Sequence, residues 1–236
     1  MIAFVEVTRL EVRKRVDTRS AAAGFGVLSL LVVMCCVLSV SLVTKAASFG
    51  VGEVIVTAGL PAALAASIVG VVIGVGDASC GGERDGVLAG LTRNVIYIAR
   101  FAACVVIIAA VVLFTAIVGG IGAVVAVLLG GHVASTDVVP SVMQVAALSF
   151  SSAAFGFGIG ATFRSLALGL VSVLGVMLVL DVALAFLGSW TAYVRFGTVQ
   201  SGMTGEADVL PAITSGLLWI VAPVAAGWVR TRRVAT

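Results

Sequence analysis

Few side chains in this sequence of 236 residues are placed to do chemistry, and their spacing narrows the choice. Asp181 stands alone in the apolar run that begins at Ser165. An acid in such surroundings carries an ion or a substrate, or else bonds to a neighbouring helix or reaches the boundary with water. Gln144, Ser149, Ser151 and Ser152 form a second polar group inside an apolar run, followed by Gly156, Gly158 and Gly160. Such groups face protein or a wet cavity rather than hydrocarbon. Glu83, Arg84 and Asp85 make a compact charged cluster ahead of Arg93 and Arg100.

Several chemistries lack their parts. A nucleotide-binding Walker loop ends in Gly-Lys-Ser/Thr; the two lysines, Lys14 and Lys45, follow Arg13 and Thr44, so the chain has no such route to ATP hydrolysis. An intramembrane serine protease needs a histidine at membrane depth. The single histidine, His132, falls with Asp137 between apolar runs, where it is solvated unless it serves as a pH switch or ligand. Cys35, Cys36, Cys80 and Cys104 show no metal-type spacing, and three lie in apolar runs, which reads as packing. No zincin motif is present. The chain is expected to be no enzyme and to bind no cofactor or metal of its own.

The elements that hold these residues follow from composition. Hydrophobic residues make up 61% and charged residues 11%, with a mean hydropathy of +1.25, against roughly 25% charge in a soluble domain. This is the composition of an integral membrane protein. Runs long enough to cross a bilayer, about 20 residues, give six spans in one transmembrane domain, 1–236: about 25–43, 56–76, 101–118, 141–163, 166–187 and 210–229. Gly119 and Gly120 are expected to break the third, leaving 121–129 either to extend a tilted helix or to lie in one leaflet. In the second, Gly70 and Gly74 form a small-xxx-small step that admits another helix closely. The glycines 156–160 of the fourth are expected to bury against a partner chain. Residues 188–211 make the longest loop, with Trp190, Tyr193 and Phe196 suited to an interfacial belt.

Basic residues set the orientation. With the N-terminus inside, twelve lie on the inner face (Arg9, Arg13, Lys14, Arg15, Arg19, Arg84, Arg93, Arg100, Arg164, Arg230, Arg232, Arg233) and two outside (Lys45, Arg195). A seventh span in the third run would reverse everything after it. Both termini are therefore expected in the cytoplasm, and the chain as a multi-pass protein of a bacterial plasma membrane. The net charge of +3 serves topology; no nucleic acid is implied.

Two segments lie outside the spans with helical patterning. Residues 1–19 place Ile2, Val5, Val12 and Val16 on one arc, an interfacial helix feeding the first span or else a disordered basic tail. Residues 79–100 carry Val87, Leu88, Leu91, Val95, Ile96, Ile98 and Ala99 at three- and four-residue steps. That pattern predicts a short helix along the membrane surface turning up into the third span. Arg93 and Arg100 are expected in water or among headgroups.

The six spans, the basic N-terminal helix and a loop reading Glu83-Arg84-Asp85-Gly86-Val87-Leu88, then Leu91, Arg93 and Arg100, resemble the permease subunits of type-2 ATP-binding-cassette exporters. The family's proline before the basic position is absent; Leu91-Thr92-Arg93 stands there. The resemblance implies an all-α polytopic fold with a coupling helix at about 83–93, whose Glu83, Arg84, Asp85, Gly86, Leu88, Leu91 and Arg93 seat in a cytoplasmic ATPase. It further implies two copies of that ATPase, which bind ATP and Mg, and a second permease subunit, identical or homologous. Gln144, Ser149, Ser151, Ser152 and Asp181 would then lie on the path of a drug, peptide antibiotic or lipid. Two other readings stand beside it: an ion-coupled secondary carrier using Asp181, and a non-transporting assembly or sensor subunit.

Overall fold

In hydrocarbon every backbone N–H and C=O must be satisfied within its own segment, and long apolar runs meet that demand as helices. A computed structural model of the chain describes residues 2–43, 51–76, 87, 90–130, 138–203 and 207–233. These are all-helical, with no strand among them. The helices are α1 (Ile2–Val16), α2 (Arg19–Val43), α3 (Val51–Val75), α4 (Arg93–Leu128), α5 (Val138–Phe163), α6 (Leu166–Ala185), α7 (Phe196–Met203) and α8 (Val209–Arg233). Six of them, α2 to α6 and α8, are long and apolar enough to cross a membrane, so this is a multi-pass membrane protein. Two are interrupted by a π-helical turn, Gly175–Leu180 in α6 and Leu217–Val221 in α8. We call the end holding α1 and the last turn of α8 the near end, and the other the far end.

The centre is the pair α3 and α5, which run in the same direction with their backbones in contact. A Cβ on Gly70 would strike the carbonyl of Ala153, on Gly74 that of Phe157, on Gly156 that of Ser67, and on Gly160 that of Val71. Only glycine permits this approach, which brings peptide groups within range of dispersion forces and of Cα–H···O contacts. The glycines of 156–160 are therefore consumed inside the chain, not held for a partner. Gly158 meets Pro223 and Val224 of α8, and Thr162 Oγ1 donates to the carbonyl of Gly158 at 2.8 Å.

Around this pair α4 packs through Tyr97 and Phe101, both edge-on to Phe157 at 5.2 and 5.1 Å between ring centres. The Tyr97 hydroxyl donates to the carbonyl of Val224 at 2.7 Å, joining α4 to α8. Helix α4 is one continuous 36-residue element, so the expected break at Gly119 and Gly120 is absent. Glycine in a membrane helix makes contact more readily than it ends the helix, because lipid offers the backbone no alternative partner. Gly119 packs on the Cα of Ile55 and Gly122 on the Sγ of Cys36, while Gly120 faces open space. At ~1.5 Å per residue α4 is roughly 54 Å long, more than tilting alone absorbs in a core about 30 Å thick.

Helix α1 packs on α4 through a face that keeps Val12 of the expected arc but not Val5 or Val16. Phe4, Val7, Thr8, Glu11, Val12 and Arg15 are turned inward, whereas Val5 and Val16 are exposed. Glu11 is buried with Lys14 Nζ 3.5 Å away. A stripe of mixed polarity gives no hydrophobic signal, so the sequence pointed to its apolar neighbours instead. Arg100 is a second correction. It is buried, and its guanidinium covers Gly76, whose φ of +59° ends α3.

The glycine contacts set a stability prediction. Gly156→Ala and Gly160→Ala should each destabilise the bundle by about 1–3 kcal/mol, the range for overpacking, seen as a lower thermal midpoint in detergent. Gly120→Ala, whose Cβ meets nothing within 4 Å, should leave that midpoint unchanged or slightly higher.

Candidate functional site

The described residues between α6 and α8, expected as a loop, fold into a plug at the far end. Gly188, with φ of +104°, turns the chain back. A 3₁₀ turn, Ser189–Tyr193, follows, and then α7. The buried Thr191 ties the turn by donating to the carbonyls of Leu184 at 2.9 Å and Gly188 at 2.7 Å. Helix α8 holds the other side: Ser215 Oγ donates to the carbonyl of Ala192 at 3.0 Å, and Trp219 Nε1 to that of Val194 at 2.7 Å. Phe196 is buried against Phe155, 5.1 Å between rings, and so does not serve an interfacial belt; Trp190 and Tyr193 are exposed.

Asp181 is the pin of this plug. Its Oδ1 accepts from Gly197 N–H at 2.9 Å, in the first turn of α7, and its Oδ2 lies 3.6 Å from Arg195 Nη2. The carboxylate thus caps α7 from another helix, where unsatisfied N–H groups and the positive end of the peptide dipoles favour negative charge. Arg195 is the residue that sequence reading missed, since there it counted only toward sidedness. Its one signal was a lone cation following the lone intramembrane acid.

Between the plug and α5 opens a cleft of about 510 Å³, lined by Gln144 and Leu148 of α5 and by Ala192, Arg195, Thr198 and Gln200 among others. Of the predicted polar residues, Gln144 lines the cleft directly. Ser152 accepts from Gln200 Nε2 at 3.4 Å and so positions one wall. Ser151 donates to the carbonyl of Leu148 in its own helix at 3.1 Å. Ser149 is fully buried, its Oγ without a hydrogen-bond partner among the described residues. Asp181 is not among the lining residues and acts on the cleft through Arg195 and Gly197, which are. The lining offers hydrogen bonds, apolar wall and one cation, which is the equipment of a binding site; no general base is among the described lining residues.

At the near end the charged cluster is less complete. Glu83, Arg84, Asp85, Gly86 and Leu88 lie outside the described residues, as do Asp77, Cys80, His132 and Asp137. Leu91 is half-buried. Arg93 opens α4 and does not belong to a surface helix, because Gly90 has φ of +83° and Thr92 is extended. Thr92 caps α4 by accepting from Val95 N–H at 3.4 Å. Asn94 Oδ1 then accepts from Trp228 Nε1 at 3.2 Å and Arg232 Nε at 2.9 Å, and Arg93 donates to the Arg232 carbonyl at 3.3 Å. The Arg232 guanidinium stacks 4.0 Å over the Trp228 ring. The start of α4 and the end of α8 are therefore clamped together.

No protein-family model, curated protein or solved structure matches this chain.

The cap on α7 makes its own prediction. Asp181→Ala should loosen the plug by about 1 kcal/mol, the usual worth of an N-cap, and Asp181→Asn by less, since its amide oxygen still accepts from Gly197. The rate of tryptic cleavage after Arg195 reads the difference, rising from wild type to Asn to Ala.

Proposed function

We propose that the chain is the membrane-spanning permease subunit of an ATP-driven exporter, moving an amphipathic or hydrophobic cargo (drug, peptide antibiotic or lipid) out of the cytoplasm or inner leaflet. The observation that carries this reading is the near-end clamp. The segment 77–92 leaves α3 at Gly76, against which Arg100 of α4 is packed, and returns at Thr92, two residues before the Asn94 junction with α8. A push on that segment would reach α3, α4 and α8 at once, and α3 is locked to α5. Such a segment has the attachments of a lever, and the resemblance supplies the motor: two cytoplasmic ATPase subunits carrying ATP and Mg, with a second permease subunit beside this one.

The basic near end would face the cytoplasm of a bacterial cell, in keeping with the positive-inside rule. Asp181 is engaged by Gly197 and Arg195, which weighs against its shuttling ions in a secondary carrier. An assembly or sensor subunit would leave the clamp with no load to transmit.

Two measurements test the reading. A membrane-impermeant maleimide should spare Cys80 on intact cells and label it once the membrane is opened. The chain purified in mild detergent should retain a stoichiometric ATP-hydrolysing subunit that crosslinks to a photoreactive residue at Glu83. Labelling from outside, or a complex without such a subunit, overturns it. Within the working complex, Asn94→Ala should lower cargo moved per ATP hydrolysed while ATP hydrolysis continues.

A further inference from the structure

The far-end cleft points to the chemical class of its ligand. Its apolar wall is Leu148, Ala192 and Ala207; its polar side chains include Gln144, Thr198, Gln200 and Ser201; Arg195 is the one charged side chain among the described residues lining it. The Asp181–Arg195 pair is asymmetric: Asp181 is 15% exposed and Arg195 33%, and of the two only Arg195 lines the cleft. Both carboxylate oxygens are engaged, one by Gly197 N–H and the other, loosely, by the guanidinium at 3.6 Å. The guanidinium is not saturated in return. Its Nε has no hydrogen-bond partner among the described residues. A planar fork of donors that lines a cavity, with one N–H buried and unmatched and a carboxylate outside the lining to hold it, suits carboxylate or phosphate oxygens. The cleft volume falls within the roughly 300–1,000 Å³ of sites that hold drug-sized ligands.

We infer that this cleft binds the anionic group of an amphiphile, a carboxylate or phosphate ester joined to an apolar chain, with Arg195 as the anchoring cation and Asp181 as the residue that positions it. The anionic group meets Arg195 and the Gln144 and Thr198 side chains, while the chain lies along Leu148 and Ala192. This names a cargo class and so rests on the exporter reading for the direction of travel. Binding itself needs no ATPase.

The test uses the full chain in neutral detergent with Trp190 and Trp228 replaced by Phe. Trp219, bonded to the carbonyl next to Arg195, is then the sole fluorescent indole. The probes are a brominated fatty carboxylate, a brominated alkyl phosphate, and the brominated alcohol and quaternary ammonium of equal chain length. Either or both anionic probes should quench Trp219 saturably and at least tenfold more tightly than the alcohol or ammonium. Arg195→Gln should abolish that preference and Arg195→Lys should retain most of it. Gln144→Glu, which leaves the Asp181–Arg195 pair untouched, should weaken the anions alone and covers the case in which Arg195 variants fold poorly. Equal quenching by all four probes, or an anion preference that survives both Arg195→Gln and Gln144→Glu, overturns the inference. So does displacement of the probe by inorganic phosphate as effectively as by the chain-bearing anion. These outcomes leave the exporter reading standing, and absence of an ATPase leaves the binding result standing.

Discussion

The structure depends on the contact between α3 and α5, where four glycines let two backbones touch. Lipid provides little hydrophobic drive for helix association, because hydrocarbon tails are as apolar as leucine. Shape then decides, and a surface without side chains allows the closest fit. The two helices run in the same direction, so Gly70 and Gly74 of one and Gly156 and Gly160 of the other repeat the same local geometry along the shared axis. Everything else is arranged on this pair. The α3 face that the pair leaves open takes α2 and α4, and the opposite side of α5 takes the plug and α8.

Because α5 is held so tightly on one side, its other side can serve as a fixed template. Ser152, Phe155 and Gly158 lie around the rest of its surface within two turns, and each receives a different element: Gln200 of α7, the rings of Phe196 and Trp219, and the backbone of α8. The far-end cleft is therefore built between a rigid wall and a plug attached by a few directional bonds. The near-end clamp works on the same bundle from the other side, through α4 and α8. Sites at the two ends are linked by packed helices.

The sequence disclosed what physics makes unavoidable. Six apolar runs of bilayer length, charged only at Asp181, had to be helices, and the Gly70–Gly74 step announced a close neighbour. It did not name that neighbour, because a glycine face looks the same whether its partner is in the same chain or another. Gly119 and Gly120 misled for a related reason: glycine weakens a helix in water, but within a membrane helix it stays helical, and Gly119 is a contact surface for Ile55. The inward face of α1 was hidden by its own charges, Glu11 and Arg15. At the candidate site, Gln144 and Asp181 stood out as polar residues in apolar surroundings. Arg195 and Phe196 did not, since nothing local tells a lone cation and an aromatic ring that they belong to a folded plug.

The π-turns of α6 and α8 change which residues look inward. In an uninterrupted α-helix the face of Gly169 and Val173 would return near position 180, at 3.6 residues per turn, so Leu180 would meet the protein and Asp181 would point toward lipid. The wider turn at Gly175–Leu180 adds one residue to the count and hands that place to Asp181. The acid's access to Gly197 is thus a matter of phase: one residue of slack in a helix separates a charge stranded in oil from a charge that fastens a domain's end.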